Sequence, residues 1–422
     1  MTNLTARQAR TRYLVLLALR WLPVGLLIPV FTLLPLQRGL TLSQLGMAAA
    51  LQGVVVLALE LPTGGLSDSL GRRPVLLAAG VIGFISLGIV FVADSFTMFA
   101  IAFAVQGVYR ALDSGPLQAW YVDAVLADDP NAEISGGLSG GGAVLGLAIA
   151  AGSVIAGGLV ALDPIPGIEA LAAPVLASAA VQLAGVVALV VLLTEIRETR
   201  GWRSIAASVR GVPAVIGGSI RLLRTSSVLR ALICVEVFWG FGMVTFEVLT
   251  PIRLAEVLDS TTAAAAIMGP AGAGAWMMSA VGAVLAAVVA RRVGVALTAG
   301  ALRILQGATV LGIALFAGPV GVIAAYLATY ATHGASVPMH ETLLHRQVTR
   351  EHRTTVLSLN SMISHPAGAV GLVVLTALAD GTSVPVAIVL GAVVLALAAP
   401  LYLPGWRAQR ERSTQHAATV GT

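Results

Sequence analysis

The chain has 422 residues, of which 57% are hydrophobic and only 11% charged, and its mean hydropathy is +0.92. A soluble domain carries about twice that share of charge, so a water-soluble globular class is excluded. The net charge of +5 is carried by 25 arginines without a lysine, and their placement between apolar runs argues against a nucleic-acid surface. The lone Cys234 rules out an internal disulfide and any cysteine-based metal site.

Apolar runs of about 20 residues, each long enough to cross a bilayer as a helix, recur from end to end. Twelve spans are predicted, near 13–36, 43–65, 73–93, 96–120, 135–160, 170–193, 229–250, 263–289, 295–316, 318–340, 355–379 and 383–403. Arg7, Arg10 and Arg12 before the first run mimic a signal peptide. The run is too long for one and no small-residue cleavage site follows, so it is expected to remain as the first span. The longest polar interval, 194–228, divides the spans six and six. The fold class expected is therefore an all-α polytopic membrane protein. Residues 1–193 form one six-helix bundle, 194–228 a cytoplasmic linker, 229–406 a second bundle and 407–422 a cytoplasmic tail.

Arginine placement sets the orientation. With the N-terminus cytoplasmic, twenty arginines fall on inner segments, and only Arg38 and Arg253 on outer loops. Arg20, Arg110 and Arg303 lie within spans. Both termini are expected inside the cell, in the cytoplasmic membrane. Shifting the chain by 222 residues lays Ser114-Gly115-Pro116 on Ser336-Val337-Pro338, and the Gly71-Arg72-Arg73 turn has a degenerate partner at Arg291-Arg292-Val293-Gly294. This internal repeat predicts two related halves.

Between the second and third spans stands Gly64-Gly65-Leu66-Ser67-Asp68-Ser69-Leu70-Gly71-Arg72-Arg73-Pro74. Gly64 and Gly71 allow a tight turn and close helix approach. Asp68 can sit at a neighbouring helix N-terminus, and Arg72 and Arg73 can pair with a carboxylate such as Asp123. The stretch resembles the loop signature of the major facilitator superfamily, Gly-x-Leu-Ala-Asp-Arg-x-Gly-Arg-Arg/Lys, with Ser67 for the small residue and Ser69 for the first arginine. The resemblance implies two six-helix bundles around a cavity and alternating access. It further implies that this motif locks the cytoplasmic side. The other reading of Arg72 and Arg73 is topogenic charge alone. Glu60 precedes the stretch in Glu60-Leu61-Pro62-Thr63, which is expected to close the second helix; Glu60 either snorkels or pairs locally, or has a proton or substrate role.

A charge inside a bilayer is costly and marks function or pairing. In span 4, Arg110 and Asp113 are three apart and can neutralise each other. Arg110 resembles the buried arginine of drug/proton antiporters, where it tunes a proton-carrying acid. Arg20 in span 1 lies at the depth of Asp113, so an Arg20–Asp113 contact is expected. Glu236 in span 7 is the first choice for a proton carrier or a contact to a cationic substrate, with Asp113 second. Its other reading is a buried acid paired with Arg303. In span 5 the antiporter motif Gly-Pro-x-x-Gly-Gly maps onto Gly152 to Gly157 with Ser153 for proline and Ala156 for a glycine, keeping Gly152 and Gly157 for helix packing. The late histidines His333, His340, His345, His352 and His365 allow a relay, and His333 reads as the deep one, for substrate or proton. His340 and His345 are spaced wrongly for a metal.

Without lysine there is no P-loop, and no Ser/His/Asp constellation appears, so an enzyme is not expected. The expectation is a monomeric secondary transporter without cofactor, its partners being a small amphipathic substrate, protons and the lipid bilayer. It most resembles the twelve-helix drug/proton exporters. An importer or symporter remains an alternative, as does a non-transporting receptor or lipid-handling protein of the same fold.

Overall fold

The computed structural model describes residues 4–194, 217, 223, 226–347 and 353–410, except the side chains of 61, 62, 64, 65, 68, 69, 353–359 and 361. The helices in chain order are α1 Ala6–Leu27, α2 Leu33–Gln37, α3 Leu42–Leu70, α4 Arg72–Val92, α5 Phe96–Asp113, α6 Pro116–Asp128, α7 Ser135–Leu162 and α8 Ala173–Leu192. After the linker come α9 Ser227–Val244, a π-turn Thr245–Leu249, α10 Thr250–Leu258, α11 Thr261–Val293, α12 Val295–Leu315, α13 Pro319–His345, α14 Arg353–Gly381 and α15 Val384–Leu397, closed by a 3-10 turn Ala399–Tyr402. No strand occurs among the described residues.

Nine helical stretches are long and apolar enough to cross a membrane among the described residues. The other three expected spans fall on α1, α5 with α6, and α13, which are not among the nine. Each carries ionisable side chains, among them Arg20, Asp113 and His340 respectively, which dilute its hydropathy. Most of the linker lies outside the described residues, as do Arg197, Arg200, Arg203, Arg210, Arg221 and Arg224.

Two corrections concern helix ends. The stretch from Gly64 to Leu70 is not a turn, nor does Glu60-Leu61-Pro62-Thr63 close a helix; α3 runs on to Leu70. The chain reverses at the single residue Gly71, with φ 92° and ψ 157°, a conformation essentially confined to glycine. The fourth span is interrupted: Ser114 and Gly115 separate α5 from α6, with Gly115 in the left-handed region.

The chain divides into two compact units. The first is Met1–Val212 with Ser260–Ala273, the second Pro213–Asp259 with Gly274–Thr422. In the first unit, Tyr13, Leu16, Leu76, Leu117, Trp120 and Tyr121 form a buried core, with Tyr13 stacked on Tyr121 at 4.6 Å. Gly152 lets α7 rest on the backbone of α1, since a Cβ there would stand 2.8 Å from Leu26 N. Gly157 does the same against the first part of α11, where a Cβ would stand 2.7 Å from Ala266 O, and Ser153 Oγ donates to Gly269 O at 2.9 Å beside it. In the second unit, Leu229, Leu232, Ile233, Met339, Leu343 and Tyr402 form the corresponding core.

The repeat is visible in the backbone of each unit. Gly294 before α12 has φ 93° and ψ 151°, matching Gly71 before α4. Arg38 donates to Val90 O and Ala93 O at 3.0 and 2.8 Å at the end of α4, and Arg253 to Ala314 O and Phe316 O at 3.5 and 3.4 Å at the end of α12.

Candidate functional site

Each unit buries its own polar cluster. In the first, Arg20 on α1 pairs with the Asp113 carboxylate on α5 and donates from Nη2 to Asp113 O at 2.8 Å. Asp113 closes α5 just before the break, so its carbonyl has no following helical turn to bond and accepts the guanidinium instead. Tyr109, one turn earlier, hydrogen-bonds the same carboxylate. Asp113 therefore takes its partner from another helix, whereas the Arg110 side chain is exposed.

The two motif arginines separate. Arg72 Nη1 meets Asp123 Oδ2 on α6 at 2.8 Å, while Arg73 Nη2 donates to Val190 O at 2.8 Å. Arg12 Nη1 reaches Leu192 O at 2.9 Å, and Trp120 Nε1 reaches Thr194 O at 2.8 Å. Three helices thus converge on the negative end of α8, where cations are favoured. The side chain of Asp68, and Gly64, lie outside the described side chains. Glu60 has a buried Oε2 without a partner among the described residues. Thr63 Oγ1 donates to Ala111 O at 2.9 Å, tying α3 to α5 near the break.

In the second unit, Glu236 on α9 is only 6% exposed. His340 on α13 places Nε2 3.2 Å from Glu236 Oε1. Its Nδ1 lies 2.9 Å from the Tyr402 hydroxyl, and Asn360 on α14 hydrogen-bonds Glu236 and approaches His340 Nε2 at 3.4 Å. Arg303 on α12, 2% exposed, acts on Glu236 electrostatically and hydrogen-bonds Tyr402. Its Nη1 donates to Gln306 Oε1 at 2.8 Å, while its Nε has no partner among the described residues. If His340 donates from Nε2 to the carboxylate and accepts the Tyr402 hydroxyl at Nδ1, both of its ring nitrogens are satisfied. The tautomer follows from that network and is an assignment. Such a chain can pass a proton between carboxylate and imidazole without moving a helix.

His333 was expected to be the deep histidine; His340 is deeper, at 3% exposure. His333 stacks on Trp239 at 5.7 Å, beside Phe246 and Tyr330, and its Nδ1 has no partner among the described residues. Sequence reasoning missed Tyr109, Asn360 and Tyr402, and it weighed His340 as a member of a histidine relay or as a metal ligand, without naming Glu236 as its partner. A polar residue on an otherwise apolar span was the available signal for Asn360 and His340. Tyr402 carries none, because tyrosine near a span end is ordinary at a membrane interface.

The sequence matches the model of the Major Facilitator Superfamily over residues 13–339. No curated protein matches it. Among solved structures, the nucleoside transporter NupG is 10% identical with a TM-score of 0.76, over 94% of this chain and 98% of that one. A bacterial homolog of the human lysosomal transporter Spinster, in an inward-facing and occupied conformation, is 13% identical with a TM-score of 0.74, over 94% and 96%. A structure described for substrate recognition in proton dependent oligopeptide transporters is 13% identical with a TM-score of 0.68, over 96% and 99%. At these identities the likeness is one of fold.

Proposed function

The chain belongs to the Major Facilitator Superfamily, and from that premise we propose that it is a proton-driven exporter of a small amphipathic compound in the cytoplasmic membrane, with both termini inside. Its class, a multi-pass membrane transporter, follows from the family and the fold. The observation that carries proton coupling is the buried Glu236–His340 couple. An unpaired acid would be expelled from such a place, and a shared proton is what a coupled transporter must bind and release. Proton entry at Glu236 would disfavour the substrate-loaded state, so inward proton flow would drive the substrate out. Arg72 and Asp123 would hold the cytoplasmic ends of α4 and α6 together in one state of the cycle.

Import is the competing reading, supported by Ser153 in place of the motif proline. Dye and antibiotic accumulation in an efflux-deficient bacterial host separates the two. Export predicts lower accumulation with the wild type, restored by an uncoupler and by Glu236→Gln. Higher accumulation with the wild type would refute export in favour of import.

A further inference from the structure

Between α1, α6 and α7 the first unit contains a cavity of about 290 Å3, near the lower size of small-molecule sites. Leu17, Leu138 and Leu145 form an apolar wall. Gly142 leaves the α7 side open, since a Cβ there would meet nothing within 4 Å.

The polar lining is rich in donors. Among the described residues, Arg20 is the only charged one in it. Its Nε and Nη2 are taken by Asp113, and Nη1 makes no hydrogen bond to a described residue. Trp21 lies under the guanidinium at 5.3 Å, and its buried indole nitrogen has no partner among the described residues. Gln118, exposed, sits in the first turn of α6. That turn starts at Gly115, which has no side chain to cap it, and it presents the positive end of a 13-residue helix. Guanidinium, carboxamide and helix terminus line the same cavity, and among the described residues no carboxylate lines it.

We propose that this cavity binds a small organic anion, with a carboxylate held between Arg20 and the first turn of α6 and an apolar body lying against Leu17, Leu138 and the glycine face of α7. As the assignment of a cargo class it rests on the transport reading; as a binding site it stands apart from it. The interrupted fourth span explains the arrangement, because an unbroken helix would have no free amide terminus at this depth.

The test is calorimetric titration of the purified protein in detergent, against empty micelles, with naphthalene-2-carboxylate, its neutral carboxamide and naphthalen-2-ylmethylammonium. The carboxylate is expected to bind at least tenfold more tightly than the other two. Gln118→Glu, which adds a negative charge at an exposed position, and Gly142→Leu, which fills the open space, are each expected to weaken it at least tenfold with the melting temperature retained. Equal or tighter binding of the ammonium compound, unchanged affinity in both variants, or no binding of any probe overturns the site. Flux of the carboxylate into proteoliposomes then separates the two readings. Binding without flux upholds the site and refutes transport of this cargo. Flux that ignores Gly142→Leu upholds transport and refutes the site.

Discussion

Asp113 shows what a buried charge demands of its neighbours. Its side chain is 10% exposed and that of Arg20 23%, so each charge depends on the other where water is scarce. Removing one partner leaves the other charge stranded, which costs about 3 kcal/mol, whereas removing both is far milder. Arg20→Leu is therefore expected to lower the thermal stability of the detergent-solubilised protein sharply, and Arg20→Leu with Asp113→Leu to recover most of the loss. Equal destabilisation in the single and double variants would show that the pair is not the cause. This contact was legible in the sequence, because two charges at equal depth on apolar spans have few other ways to be satisfied. The partner of Glu236 was not: Arg303 offered the obvious opposite charge, and His340 fitted no metal spacing. Contact decides between them, since His340 and Arg303 are equally buried but it is His340 Nε2 that lies 3.2 Å from Glu236 Oε1; such contacts depend on helix rotation, which periodicity leaves open when nearly every face is apolar.

Among the elements, turns and helix ends were the hardest to read. Seven residues from Gly64 to Leu70 resemble a loop in composition, yet they continue α3, since in a membrane the backbone bonds of a helix outweigh the weak preference of glycine for other states. The reversal falls on Gly71, whose φ of 92° and ψ of 157° recur at Gly294. Alanine at either position would be strained by about 1–3 kcal/mol. Gly71→Ala and Gly294→Ala are expected to lower the melting temperature. Gly146→Ala is a control inside α7, where a Cβ meets nothing within 4 Å, and should leave it unchanged or raise it. A control that fell as far as the two turn variants would remove conformation as the explanation. The repeat was legible at these turn glycines. It was hidden at Arg38 and Arg253, whose shared task of capping the ends of α4 and α12 needs three-dimensional contacts to be seen.

At the scale of the whole chain, those two arginines bear on orientation. In the proposed orientation they are the only arginines on the outer loops, and each stands beside an acid: Arg38 Nε lies 3.0 Å from Glu169 Oε2, and Arg253 Nη1 lies 3.2 Å from Glu256 Oε2. Their positive charge is thus both locally offset and structurally employed, so neither counts fully as a topogenic signal. The inner segments keep exposed arginines such as Arg7, Arg10, Arg291 and Arg292. The asymmetry that favours the proposed orientation is therefore stronger than the bare count. A reporter active only in the cytoplasm is expected to be active when fused after Thr422 and inactive when inserted after Gly167, in the α7–α8 connection. A reporter active only outside should give the reverse. Replacing Arg38 and Arg253 by glutamine should leave this pattern unchanged while lowering thermal stability, because their work is in capping helices. A reporter signal outside the cell at Thr422 would overturn the orientation, and with it the assignment of the Arg72–Asp123 contact to the cytoplasmic side.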